Sequence, residues 1–359
     1  MAEFRLENIA INGISCAVPD NKVLTKEFYD KFGQEYVDSF IETTGVESSY
    51  RTSEEQTASD LCYVAAEDVI QKKGIDKSSI GLLVFVSQTP DYRLPATACV
   101  LHKRLNLEKN CLAFDVNLGC SAFVYGINIA GAMMNSLNIE KALLLNGDTC
   151  TKTISPEDKS EHMLFGDAGS ATLLTKREGA SIIGELMTDG EGFKSIIMPS
   201  GGYRNRNGSH ERTVWGDGNI RSDYDGYING TDVFVFSISQ VPKLIKKFVA
   251  DNSIEEFDHL VLHQANQMMF KQISKKTKIP MNKIPETIDR FGNTSGASIP
   301  LTLCDIYGND ETEGASKELM CGFGIGLSWG VVYTEIQKKD IFPIIYTDDY
   351  YKDGRVSHD

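Results

Sequence analysis

The chain has 359 residues, 41% of them hydrophobic and 24% charged, and a formal net charge of -14 at pH 7. That length holds one large domain or two of ordinary size, and the acidic balance argues against general nucleic-acid binding, because a phosphate backbone would be repelled overall. The opening Met-Ala-Glu-Phe-Arg-Leu-Glu has no apolar signal core and no later run reads as a membrane span, so the sequence alone predicts a cytoplasmic protein.

In chain order, residues 9–18 read as a strand and residues 25–44 as an amphipathic helix stopped by Gly45. Ser59-Asp60 caps a helical pattern that ends at Gly74. Residues 80–87 form a continuous apolar run, the signature of a fully buried strand. A helical stretch over 95–105 and strands over 111–116 and 142–146 continue an alternation expected of an α/β sheet covered on both faces.

Between the last two strands lies Asp115-Val-Asn-Leu-Gly-Cys-Ser-Ala-Phe-Val-Tyr-Gly126, where a strand hands over to an uncharged helical segment reaching residue 139. Its small residues Ala122, Gly126, Ala130, Gly131 and Ala132 fall on more than one face, which predicts a helix enclosed by protein. Cys120 stands at the first turn, where unsatisfied N–H groups and the positive end of the helix dipole favour a thiolate. Cys120 also fits a small buried hydrophobe. The eight cysteines form no CxxC pair, so neither a zinc ribbon nor a disulfide framework is expected, and no metal site is predicted.

Residues 165–174 read as a glycine turn feeding a strand, and residues 189–230 as a polar, glycine-rich excursion near a mouth or interface. A helix over 233–251 and a short strand over 259–262 lead to His263-Gln-Ala-Asn266. The loop 291–298 and a helix then precede terminal strands within 318–336. From Lys243 to Lys283 eight lysines face four acids, which suits either solvated helix faces or a docking surface for an acidic partner. The order of elements suggests two similar halves, 1–180 and 181–336, followed by a polar tail, 337–359, lying across the surface.

Cys120, His263 and Asn293 all fall at strand ends or in glycine-rich turns, where open α/β sheets bind ligands. His263 also suits a structural role and Asn293 a simple turn. Together they supply a thiol nucleophile and two hydrogen-bond donors able to hold an oxyanion.

The motifs Gly119-Cys-Ser-Ala-Phe, Phe165-Gly-Asp-Ala-Gly, His263-Gln-Ala-Asn266, Gly292-Asn-Thr-Ser-Gly-Ala-Ser298 and Phe323-Gly-Ile-Gly-Leu-Ser-Trp-Gly330 cover the chain in an order that resembles the thiolase superfamily. The closest resemblance is to the 3-oxoacyl-(acyl-carrier-protein) synthase III group. It implies a five-layered αβαβα fold built from two similar halves, a homodimer and a role in fatty acid biosynthesis. It also implies a Cys120, His263 and Asn293 triad, with the backbone N–H groups of Cys120 and Gly324 as an oxyanion hole.

By the same resemblance Phe234, Asn266, Phe323, Leu94 and Lys159 contact substrate, and the local lysine excess suggests Lys271, Lys275 and Lys276 for docking an acyl carrier protein. Acyl-coenzyme A or a carrier phosphopantetheine thioester is then a substrate, and no cofactor is required. The implied reaction acylates Cys120 and then condenses that acyl group with malonyl-carrier protein. Transfer to another acceptor, in secondary metabolism or surface-glycan synthesis, and a non-catalytic carrier-binding role are the alternatives.

The chain departs from the family's pattern in several places. Ser39-Phe-Ile-Glu-Thr-Thr-Gly45 lacks the expected Trp and Arg unless Phe40 substitutes, Met268 replaces an arginine, and Lys159 replaces another without its planar fork. These changes weaken coenzyme A as donor and leave a carrier protein. Leu94 falls where a larger residue would close the acyl pocket across the dimer, so chains longer than acetyl are expected, although ordinary dimer packing also accounts for it.

Overall fold

The computed structural model describes residues 2–352. Nine strands share one hydrogen-bonded network: β1 (Ala2–Pro19), β2 (Leu82–Val86), β3 (Leu112–Val116), β4 (Lys141–Asp148), β5 (Ala168–Thr188), β6 (His259–Leu262), β7 (Ala315–Gly324), β8 (Ser328–Gln337) and β9 (Ile345–Thr347). The two longest strands hold it together. Residues 9–17 of β1 pair antiparallel with 169–176 of β5, while residues 2–7 pair with 181–186. The first part of β5 also pairs with β4, and its last part with β8. Residue 180 therefore lies inside a strand whose two ends serve different halves of the sheet.

The principal helices are α1 (Gln34–Thr44), α2 (Ala58–Lys72), α3 (Thr97–Arg104), α4 (Ala122–Leu137), α5 (Gly230–Asp251), α6 (Gln267–Thr277) and α7 (Ser298–Tyr307). Helices α2 and α3 cover the outer face of the β2–β3–β4 half, and α5, which packs on α6, covers the β7–β8 half. Between the half-sheets lie α4 and α7, which complete five layers in the order αβαβα.

Helix α4 touches both half-sheets, which explains its lack of charge and its small residues. A Cβ at Gly126 would come within 2.7 Å of Leu144 in β4, and one at Gly131 within 2.4 Å of Leu6 in β1. Larger residues at either position would force the sheet away from the helix.

Several sequence expectations shift. The expected helix over 25–44 is broken by Gly33, whose φ of +86° is outside the helical region, so only α1 is a continuous helix of useful length. Strand β2 is fully buried as expected, but β3 is an edge strand, paired on one side only, and its Leu112 is 44% exposed. Cys120 sits just before α4, whose N-cap is Ser121, and not within its first turn.

The tail is more ordered than its polarity suggests. Residues Ile345–Thr347 form β9, parallel to Ala17–Pro19 of β1, and the Tyr351 N–H donates to Asp60 Oδ1 at 2.9 Å. The remainder of the expected tail, 353–359, lies outside the described residues. The same Asp60 caps α2 through Oδ2, which accepts from the Thr57 N–H at 2.8 Å, and pairs with buried Arg104 at 2.8 Å. The Arg104 guanidinium lies over the rings of Tyr63 and Tyr351, at 4.4 and 4.7 Å.

Removing Asp60 would uncap α2, free the tail and strand the Arg104 charge. Asp60→Ala is expected to lower the unfolding free energy by about 3–5 kcal/mol, read from urea denaturation. A loss below about 1 kcal/mol would show that the cluster is not a structural clasp.

Candidate active site

Strand β3 ends at Val116, and the chain turns through Gly119 and Cys120 into α4. A Cβ at Gly119 would meet Gln88 Oε1 at 2.3 Å, so a larger residue there would have to displace the Gln88 side chain. The Gln88 N–H and the Ser87 hydroxyl both donate to buried Asp148 Oδ1, at 2.7 and 3.0 Å, which pins that loop to β4. On the other side the β7–β8 turn presses on the cysteine, and a Cβ at Gly324 would lie 2.7 Å from Cys120 Sγ.

The N–H groups that reach the Cys120 thiol are those of Ile325 and of Cys120 itself. The Ile325 N–H thus reaches the sulfur, while Gly324, the residue before it, supplies clearance. The expected thiolate is reversed. Burial pushes the Cys120 thiol up to about 11, with the Ile325 N–H opposing and the Asp148 carboxylate adding to the rise.

His263 follows β6, its N–H donating to the Cys321 carbonyl at 2.8 Å, and its ring stands edge-on to Phe323 with 5.7 Å between centroids. The ring is 1% exposed, and burial lowers its pKa to about 4, so the imidazole is neutral at physiological pH. Ser298 Oγ lies 2.8 Å from Nδ1, and the Ser295 backbone also bonds the ring.

Asn293 is held by backbone bonds in both directions: its N–H donates to Leu164 and its carbonyl accepts from Gly166. Gly166 is required there, because a Cβ would lie 2.1 Å from the Phe291 carbonyl oxygen. Asn293 Oδ1 accepts from the Ser295 N–H at 2.9 Å. That bond fixes the amide orientation and leaves the two Nδ2 donors unspent. Asp167, in the same Phe-Gly-Asp motif, accepts from the N–H and hydroxyl of both Thr52 and Thr151.

These elements enclose a cavity of about 650 Å³ lined by Cys120, His263, Asn293, Phe234, Asn266 and Phe323, among others. With Gly324, which also lines it, seven of the expected site residues therefore converge. Asn266 has a second duty, capping α6 by accepting from the Met269 N–H at 2.9 Å. A larger surface depression, about 790 Å³, is lined by Arg5, Arg177, Glu255 and Lys317 and holds none of the three central groups.

Other expected residues lie elsewhere. Leu94 is 76% exposed and does not line the cavity. Lys159 projects over the Tyr36 ring at 5.0 Å, also outside it. Phe40 is buried in the core beneath α1 and does not substitute for the absent tryptophan, whereas Thr43 does line the cavity. Lys271, Lys275 and Lys276 are exposed on α6, beyond the cavity-lining Met268 and Met269. Sequence reading missed Cys150, Glu161 and the 196–198 wall, which carry no motif and reach the cavity only through tertiary packing. Among the described residues no three His, Cys, Asp or Glu side chains are placed to hold a metal, and no helix is long and apolar enough to cross a membrane.

The family model for the 3-oxoacyl-[acyl-carrier-protein] synthase III matches residues 114–190, and that for the C-terminal part of the same enzymes matches residues 249–336. A β-ketoacyl-[acyl-carrier-protein] synthase III of Clostridioides difficile is 31% identical, covering 86% of this chain and 94% of its own. One from Xanthomonas campestris is 30% identical over 89% and 96%. The crystal structure of a 3-oxoacyl-(acyl-carrier protein) synthase from Burkholderia xenovorans superposes with a TM-score of 0.90 at 33% identity, covering 96% of this chain and 99% of that one.

The raised thiol has a measurable consequence. Alkylation of Cys120 by iodoacetamide, followed by peptide mapping, should accelerate about tenfold per pH unit from about pH 7 to about pH 10. A plateau near pH 8 would mean that the thiolate is stabilised after all.

Proposed function

The chain belongs to the 3-oxoacyl-(acyl-carrier-protein) synthase III family of condensing acyltransferases, and from that premise we propose that Cys120 takes an acyl group from a thioester and passes it to a decarboxylating malonyl-carrier thioester. The observation that carries this reading is the meeting of a thiol, an imidazole and a free amide on one cavity.

In the first half-reaction the Cys120 sulfur attacks the donor carbonyl, and the donor thiol leaves with the proton that Cys120 gives up. The backbone N–H groups of Cys120 and Gly324, both on the cavity wall, would hold the tetrahedral oxyanion. In the second, the malonyl thioester oxygen lies between His263 Nε2 and Asn293 Nδ2. Loss of carbon dioxide puts negative charge on that oxygen, where two neutral donors stabilise it more than they stabilise the ground state. The enolate carbon attacks the acyl carbonyl, and Cys120 leaves as thiolate and regains a proton. These steps use no metal or redox cofactor.

A carrier protein is the favoured acyl donor. Thr43 lines the cavity in the stretch where the family's arginine is expected, while the lysines of α6 begin one turn from the lining Met268 and Met269. An acidic carrier docked on α6 would direct its thioester arm past those methionines. A homodimer would cover the open edge of β3 and bring Leu94 against the neighbouring cavity, giving room for acyl chains longer than acetyl and a place in fatty acid biosynthesis.

Intact-protein mass measurement after incubation with donors from acetyl to dodecanoyl should show one acyl adduct, lost in Cys120→Ala. Adducts restricted to acetyl would remove the longer-chain reading. Asn293→Ala should retain that adduct while condensation, followed as carbon dioxide release from malonyl-carrier protein, falls about 100- to 1000-fold. Undiminished condensation in Asn293→Ala, or acyl transfer without carbon dioxide release, would point to a different acceptor.

A further inference from the structure

A second polar group faces the cavity far from Cys120 in sequence. Glu161 lines it, is 3% exposed, and belongs to a buried cluster around Arg221, which is itself fully buried. Arg221 Nη2 lies 3.2 Å from Glu161 Oε1, Nη1 lies 2.8 Å from Asp217, and Nε pairs with Asp158. The Arg221 guanidinium lies 5.6 Å from the centroid of the Trp215 ring and 5.3 Å from that of Tyr227.

Glu161 Oε1 is fully engaged, accepting from Arg221 and from the Ile228 N–H at 2.8 Å. Glu161 Oε2 is buried and has no hydrogen-bond partner among the described residues. A buried polar atom without a partner costs about 1–3 kcal/mol, and one kept on a substrate cavity is explained if the substrate completes it.

We propose that Glu161 is a specificity-determining residue that presents Oε2 to a polar group of the bound thioester substrate. The inference rests on the reading of the cavity as a thioester site.

Local surroundings decide which kind of group. Three carboxyls share one guanidinium, and the one with little solvent and the fewest other donors is the costliest to keep ionised. Asp217 is 36% exposed, and Asp158 accepts two further N–H groups, from Ser160 and Glu161. Glu161 has the weakest claim to a charge: burial and then the Asp158 carboxylate raise it to about 8, against the pull of Arg221. With Oε1 occupied, the proton lies on Oε2 and points to an oxygen acceptor. The titratable groups around it are Asp158 on its own loop, Asp217 and Arg221 on the facing hairpin, and Tyr227 beside Ile228.

The acceptor is either an oxygen carried by the acyl chain or a carbonyl of the pantetheine arm. Because the proton is required, affinity is full below the Glu161 pKa and declines as pH rises through it.

The test is calorimetric binding to the Cys120→Ala protein, which binds thioesters without being acylated, from about pH 6.5 to about pH 9.5. Four probes are compared: a saturated acyl-pantetheine, its 3-hydroxyacyl counterpart, and the N-acetylcysteamine thioester of each, which lacks most of the arm. Affinity for the recognised probe should fall roughly tenfold between about pH 7 and about pH 9. Adding Glu161→Gln, whose amide donates at every pH, should hold it constant within about twofold.

A fall with both pantetheine thioesters, absent from both short ones, assigns the arm. A fall with only the hydroxylated pair assigns the acyl oxygen. Affinity independent of pH, or an equal slope in the Glu161→Gln protein, overturns the proposal while leaving the cavity a thioester site. No binding of any probe, together with no acyl adduct on the native protein, would instead overturn the thioester reading.

Discussion

The structure depends on one packing constraint: helix α4 must fit between two half-sheets that share the strands β1 and β5. Because β1 and β5 run through both halves, the spacing between the half-sheets leaves little freedom, and the helix has to be narrow. That narrowness fixes the turn that precedes it. Cys120 lies at the entry to the middle layer, where the strand end of one half and the β7–β8 turn of the other both reach it. A site assembled this way has its nucleophile and its partners brought together by the packing of the sheet and helices.

Burial also decides the electrostatic character of the site. Cys120 is held as a thiol and His263 as a neutral imidazole, while Asn293 carries no charge at any pH. A cavity of neutral dipoles suits a reaction whose charge appears only on the way to the transition state, since fixed charges would bind the ground state equally well. The buried carboxylates nearby do not contradict this. Asp148 and Asp167 use their lone pairs to fix backbone and hydroxyl groups of the surrounding loops, so their part is positional.

Much of this was legible in the sequence, and the limits have physical causes. The buried strand β2 and the small-residue helix α4 follow from local pattern, and the convergence of Cys120, His263 and Asn293 follows from glycine-rich motifs whose glycines are needed for close approach. Pattern could not distinguish a strand covered on both sides from the edge strand β3, because both are apolar. Nor could it show that the Ile325 N–H, one residue beyond Gly324, reaches the sulfur, since that depends on the path of a turn. The thiolate expectation failed because a helix start is visible in sequence and the depth of burial is not. The pairing of the tail is hidden for a related reason: β9 pairs with residues at the far end of the chain, and its anchor on Asp60 leaves no periodic trace.

Arg221 shows how far such long-range pairing extends. The polar segment before α5 reads in sequence as an excursion, and polarity alone suggests solvent exposure. Arg221, unlike Arg204, Arg206 and Arg212 in the same segment, is instead completely buried, because Asp158 and Glu161, on the loop leading to β5, pair with it across the fold. An ion cluster of this kind is weak evidence for stability, as well-packed apolar groups could hold the same loops at least as firmly. What apolar groups could not do is set a protonatable oxygen at the edge of a substrate cavity. The cluster fixes the loop bearing Glu161 and the strand bearing Ile228 at the same time, so the wall beyond Cys120 acquires a defined polarity as well as a defined shape.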